Sequence, residues 1–144
     1  MASAKMNKKK VTAVLNEILE LELAGVVRYT HYSFMIFGHH RIPIVKWLRG
    51  QADESLLHAV QAGEHLTALG GEPSLEIGGL LERKKSRDVD QILRESLTHE
   101  RTALATYEKL LALAEGKSVM LEEYARTMIG QEEQHATDVE KMLR

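Results

Sequence analysis

Six side chains of this 144-residue sequence have the types and spacing of metal ligands: Glu22, Glu54, His58, Glu100, Glu132 and His135. Each stands where an apolar core residue is due. Val11, Val14, Ile18, Gly25, Tyr29, Tyr32 and Ile36 recur every three or four positions, and Glu22 interrupts that row. Glu100 interrupts the row Val89, Leu93, Ser96, Ala103, Tyr107 and Leu110 in the same way. Glu132 and His135, three residues apart, lie among Leu121, Ala125, Met128, Val139 and Met142. Glu54 and His58 share a face flanked by Leu48, Ala62 and Leu69. A lone carboxylate in a helical core is costly unless it is protonated, paired or bound to metal. Four together repel one another, and two divalent cations cancel their charge. Carboxylate oxygens with imidazole nitrogens, and no thiolate, suit iron or manganese, with zinc as a competitor.

Four long helices must position these groups. The first spans about Lys10 to Phe37, with Gly38 suited to its C-terminal end and Pro43 to the first turn of the second. The second ends near Leu69, before Gly70, Gly71 and Pro73. The third starts near Asp88, whose spacing to Gln91 fits an N-terminal cap, and runs to about Glu115. Gly116, Lys117 and Ser118 form a short turn before the fourth. Short connections make each flanking pair an antiparallel hairpin. Residues 70–87 form a longer link. A helix of about 27 residues is about 40 Å long, and about 12 extended residues cover that length. The chain is therefore expected to be all-α: an up-down-down-up four-helix bundle with one long crossover between helices two and three. Residues 1–9 read as a flexible basic tail and residues 10–144 as the bundle domain.

The two hairpins echo one another. Glu22 to Glu54 and Glu100 to Glu132 are both 32 residues, and Tyr29 and Tyr107 each follow a seam glutamate by seven. Taken singly, each polar residue fits a salt bridge, with Arg28, Arg101 and Arg126 as available partners. Six at similar heights are hard to read as solvated surface. Tyr29 and Tyr107 read as core aromatics, and a tyrosine hydroxyl close by would donate to a metal-bound carboxylate. His99 is rotated about 100° from Glu100 and reads as outside the site. His65 is a weak accessory candidate, and His39 and His40 read as solvated loop residues.

Composition narrows the classes. Nearly half of the chain is Ala, Glu, Lys, Leu and Arg, which with helical periodicity favours long helices. The absence of cysteine excludes disulfides, thiolate zinc, iron–sulfur sites and a cysteine nucleophile, and fits a cytoplasmic location. A net charge of −2 argues against nucleic acid as a partner, and no apolar run approaches a membrane span.

The sequence resembles the ferritin superfamily, most closely bacterioferritin, through Leu19–Tyr29 (LELELAGVVRY), Ala52–Pro73, Asp88–Glu100 and Met128–His135 (MIGQEEQH). The resemblance implies a ferritin-like bundle and a ferroxidase centre: two iron ions bind and are oxidised by O₂ or H₂O₂, for storage or detoxification. It implies Glu22 and His58 on one iron, Glu100 and His135 on the other, and a helix-two glutamate with Glu132 bridging. The family spacing in helix two is Glu-x-x-His, whereas here it is Glu54-x-x-x-His58, and the position three before His58 is Ser55. Glu54 is taken as the ligand, a one-residue bulge being one way to restore the register. Residues 48–69 contain no methionine, so no haem is expected by the family's route. Only nine residues follow His135, so the fifth helix of the family's 24-subunit cage is not expected. The expected assembly is a homo-oligomer, a dimer at least. Two other readings stand beside the ferroxidase: a rubrerythrin-like di-iron peroxidase or oxidase with an external electron donor, and a metal-free helical interaction module. DNA protection, as in mini-ferritins, rests only on the lysine tail.

Overall fold

The computed structural model describes residues 5–81 and 86–144. Part of the basic tail, residues 1–4, and part of the link, residues 82–85, lie outside the described residues. Four helices make up the described chain: α1 (Lys8–Phe34), α2 (Arg41–Ala68), α3 (Val89–Ala114) and α4 (Val119–Met142).

Side chains at the helix ends decide the boundaries. Asn7 accepts a hydrogen bond from the Lys10 amide at 3.1 Å, so α1 starts two residues before its expected position. It also stops three residues early. Arg41, at the start of α2, donates to the carbonyls of Ile36 at 2.8 Å and Ser33 at 3.3 Å and so satisfies the open end of α1. Gly38 is therefore not the helix-ending residue; it sits in the connection with φ +98°. Pro43 falls in the first turn of α2, where its missing N–H costs nothing. Asp88 caps α3 by accepting from the Gln91 amide at 2.7 Å, as its spacing predicts. Gly116, at φ +74°, makes the tight turn into α4, whose cap is Ser118.

Packing fixes the directions of the helices. At one end of the bundle, Val11 and Leu15 of α1 meet Leu66 of α2, Ala114 of α3 and Leu121 of α4. At the other end, Tyr32 and Ile36 meet Val45, Leu48 and Ile92. Leu93 of α3 and Val139 of α4 pack together near that second end. Helices α1 and α4 thus run one way and α2 and α3 the other. The link climbs beside α1. Asn16 donates to the Glu72 carbonyl and accepts from the Ser74 amide; further along, the Gly78 amide reaches the Glu20 carbonyl, and Arg28 reaches the Gly79 carbonyl. This is the up-down-down-up arrangement with one long crossover.

The apolar rows face inward as their periodicity predicts, except Met142, which is exposed at the end of α4; Leu69 and Val89 are half-buried. Among the described residues, no helix is long and apolar enough to cross a membrane. Between the apolar layers at the two ends lies a buried polar layer. It contains the glutamates that interrupt the seams.

Candidate metal centre

Five of the six candidate ligands converge in that layer. Glu22, His58, Glu100 and Glu132 are buried, and His135 is half-buried. The His58 Nδ1 atom lies 3.4 Å from a Glu22 oxygen and 3.7 Å from a Glu132 oxygen. On the other side, His135 Nδ1 lies 3.7 Å from Glu100 and 3.9 Å from Glu132. Two compact groups result, Glu22–His58–Glu132 and Glu100–Glu132–His135. Within each, the ligand atoms are all within 4.8 Å of one another. Glu132 belongs to both.

The hydroxyl donors cross between the hairpins. Tyr29 of α1 donates to Glu100 of α3. Tyr107 of α3 donates to Glu22 of α1 at 3.2 Å. Because α1 and α3 are antiparallel, a tyrosine two turns beyond the glutamate on each helix comes level with the glutamate of the other. The repeated seven-residue spacing is the sequence trace of this exchange.

Electrostatics without metal are uncomfortable. Burial first, then the facing Glu100, with charge repulsion from Glu22 and Glu54, pushes Glu132 up to about 12. Burial also raises Glu22, against the lowering influence of His58. Glu100 goes the other way. Burial pushes it up, but hydrogen bonds from protonated Glu132, His135 and Tyr29 outweigh that and hold it at about 2. The Glu100–Glu132 pair therefore carries one proton. His135 is raised by its hydrogen bond to Glu100, against burial. Even so, Glu132 Oε2 is buried with no hydrogen-bond partner. A buried carboxylate oxygen without a protein partner is costly and calls for an explanation.

The available arginines do not relieve this. Arg101 pairs with Glu140 at 2.8 Å, Arg126 with Glu115 and Glu122, and Arg28 donates to the Gly79 carbonyl. Among the described residues, none of the three forms an ion pair with a seam carboxylate.

Glu54 takes a different place from the one expected. It lies outside both groups, with its side chain 44% exposed and its Oε2 3.0 Å from His135 Nε2. Helix α2 is regular through this region, with no bulge to rotate Glu54 inward. The inward position three before His58 belongs to Ser55, which packs against Gly25 of α1. A methyl group on residue 25 would come within 2.7 Å of Ser55 Oγ and 3.1 Å of His99 Nε2. The close approach of α1 and α2 at this height therefore requires a glycine there. His99 is outside both groups, as its helical rotation predicts. It is nonetheless buried: its ring meets Tyr29 edge-on at 6.1 Å, and desolvation lowers its pKa. His65 packs on the Tyr124 ring at 4.2 Å and belongs to neither group. His39 and His40 are exposed.

Known proteins place the chain in a family. A family model described as Ferritin-like domain matches residues 12–144. The chain belongs to the ferritin-like family. Its fold matches a ferritin-like diiron-carboxylate protein from Bacillus anthracis at a TM-score of 0.87 and 24% identity, covering 95% of this chain and 97% of that one. The bacterioferritin-related dodecameric thioferritin of Bacteroides fragilis matches at 0.88 and 21% identity, covering 96% and 87%. Desulfovibrio desulfuricans bacterioferritin, whose structure concerns its diiron site, matches at 0.82 and 22%, covering 94% and 79%. At these identities the likeness of this ferritin-like chain to its neighbours is one of fold. By sequence alone, no curated protein matches it.

Proposed function

We propose that the chain is a di-iron ferroxidase that oxidises Fe²⁺ with O₂ or H₂O₂, in the service of iron storage or detoxification in the cytoplasm. The observation that carries this reading is Glu132, a buried carboxylate common to two Glu/His groups, with one oxygen lacking a hydrogen-bond partner. In this reading Glu132 lies between two cations. Glu22 and His58 complete one set of donors, and Glu100 and His135 the other. The donor set is oxygen and imidazole only, which fits iron or manganese. The diiron neighbours support the same assignment.

The remaining groups act on the ligands. Glu54 accepts from His135 Nε2–H, which fixes the ring with Nδ1 turned to Glu100 and Glu132. Tyr29 and Tyr107 hold one oxygen each of Glu100 and Glu22, leaving the others free to turn inward. The proton held by the Glu100–Glu132 pair leaves when cations arrive. Iron supplies the redox chemistry: two Fe²⁺ give one electron each, and O₂ with two protons leaves as H₂O₂, or H₂O₂ with two protons as water. The apolar layers on either side keep bulk water from the site. The dodecameric B. fragilis neighbour supports a homo-oligomer for this chain.

Loading metal-free protein with Fe²⁺ anaerobically and then admitting O₂ tests the function. The expected result is a ferric absorbance that saturates at about two irons per chain. Oxidation no faster than in buffer would overturn the reading. Sustained reduction of peroxide by an added reductant, without a ferric product accumulating, would replace it with a peroxidase.

A further inference from the structure

The two Glu/His groups are one negative charge short of two divalent cations. Glu54 lies outside both, and among the described residues the carboxylates within them are Glu22, Glu100 and Glu132. His58 and His135 enter the ligand set as neutral imidazoles. Two divalent cations bring four positive charges, so one stays unmatched when those three carboxylates are ionised. Glu54 does not make up the difference: its exposed carboxylate is screened by water and already bonded to His135. A unit of charge left over between two apolar layers is costly unless something pairs with it. The missing charge must come from solution.

Polar groups that the ligand set leaves unused mark a place for it. Ser55 takes the inward position three before His58, and the arm by which it falls short of a glutamate is of acetate size. His99 precedes Glu100 on α3. Ser55 Oγ and His99 Nε2 both lie against Gly25, where a methyl group would come within 2.7 Å of the one and 3.1 Å of the other. Ser55 is 7% and His99 8% exposed, and among the described residues neither side chain makes a hydrogen bond. Two buried donors near one another and without acceptors suit an oxygen anion. The Tyr29 ring, edge-on to His99 at 6.1 Å, helps fix the imidazole plane. Arg28 adds positive charge: it acts on His99, as does Glu100, and its own Nε is buried with no hydrogen-bond partner.

We propose that a small carboxylate-type monoanion from solution (formate, acetate or bicarbonate) binds beside Ser55 and His99 and completes the two-cation site. This rests on the di-iron reading of Glu132. The Ser55 hydroxyl and a ring N–H of neutral His99 hold the anion's oxygens, and its charge offsets the unmatched positive one. Hydroxide would bring the same charge, but a two-oxygen anion gives each donor its own acceptor. Gly25 is the residue that lets the two donors come together, since any side chain there would part them. Anion and cations then favour one another, each raising the other's affinity by the same factor.

Calorimetric titration of the metal-free full chain with Mn²⁺ tests this, in buffer freed of carbon dioxide and carboxylates. Formate, acetate and bicarbonate are added in separate arms and compared with chloride at equal ionic strength. At least one of the three should tighten Mn²⁺ binding about tenfold over chloride, and the most effective is the preferred anion. Ser55→Ala should lose most of that gain. Ser55→Glu, which carries the carboxylate on the chain, should bind Mn²⁺ tightly in chloride and gain nothing from the added anion. Ser55→Ala removes a single oxygen, so it decides the matter even where the glutamate prevents folding. A parent chain that binds two Mn²⁺ equally well in every arm would overturn the inference and leave the two-cation reading standing. So would a Ser55→Ala variant that keeps the whole gain. A parent that binds no Mn²⁺ in any arm would overturn both.

Discussion

Replacing Glu132 with glutamine is expected to abolish binding of both cations while leaving the metal-free protein as stable as before, within about 1 kcal/mol. Burial and the facing Glu100 keep Glu132 protonated, so the neutral amide is nearly isosteric with what it replaces. The amide has neither the charge nor the second carboxylate oxygen needed between two cations, and Glu132 is common to both groups of donors. Glu132→Gln should therefore remove the thermal stabilisation given by Mn²⁺ or Fe²⁺, which for the parent is about 2.7 kcal/mol for each ion at a hundredfold excess over its Kd. Thermal melts of both proteins with and without Mn²⁺ check this. A variant still stabilised by metal to the parent's extent would contradict it. So would a variant that unfolds without metal.

The stabilisation by metal is also expected to grow with pH, by about 1.4 kcal/mol per pH unit for each proton displaced. The sign follows from the separate groups. Glu132 and Glu22 are raised above 4.5 in the folded state, so the stability they contribute is full below that value and is lost as pH rises toward their folded values. His135 is raised above 6.5, and its contribution is likewise lost as pH rises through its folded value. Glu100 is lowered, so its contribution is present above 4.5 and disappears only as pH falls toward about 2. Between pH values of about 5 and 9 the metal-free site therefore loses stability with rising pH. Cations take the place of the same protons, so their affinity rises over that interval. Melting curves in Mn²⁺ and in chelator at several pH values should diverge as pH rises. A gap that stays constant or narrows would show that metal does not displace these protons.

Much of this was legible in the sequence, because burial in a helical bundle leaves a periodic trace. The rows through Val11, Ile18 and Tyr29 and through Leu121, Ala125 and Met128 point inward as read, and the glutamates that break them are buried. The end of α1 was not legible. It depends on Arg41, a side chain from the next helix that takes the Ser33 carbonyl in the last turn and the Ile36 carbonyl just beyond it, and no local pattern announces that contact. The place of Glu54 was half legible: its helix and neighbourhood are as expected, but a rotation of one residue along α2 turns it to His135 Nε2 and gives Ser55 the inward position. The donation from Tyr107 to Glu22 was present only as a repeated spacing, and it became a contact once α1 and α3 were seen to be antiparallel.

Two cations on either side of one carboxylate are the centre of the proposed chemistry. Crystals grown with Mn²⁺ and measured at a wavelength where manganese scatters anomalously would show this directly. Two peaks are expected inside the bundle, one bounded by Glu22, His58 and Glu132 and the other by Glu100, Glu132 and His135. Peaks confined to surface carboxylates, with Glu132 still facing Glu100 across an ion-free core, would contradict it.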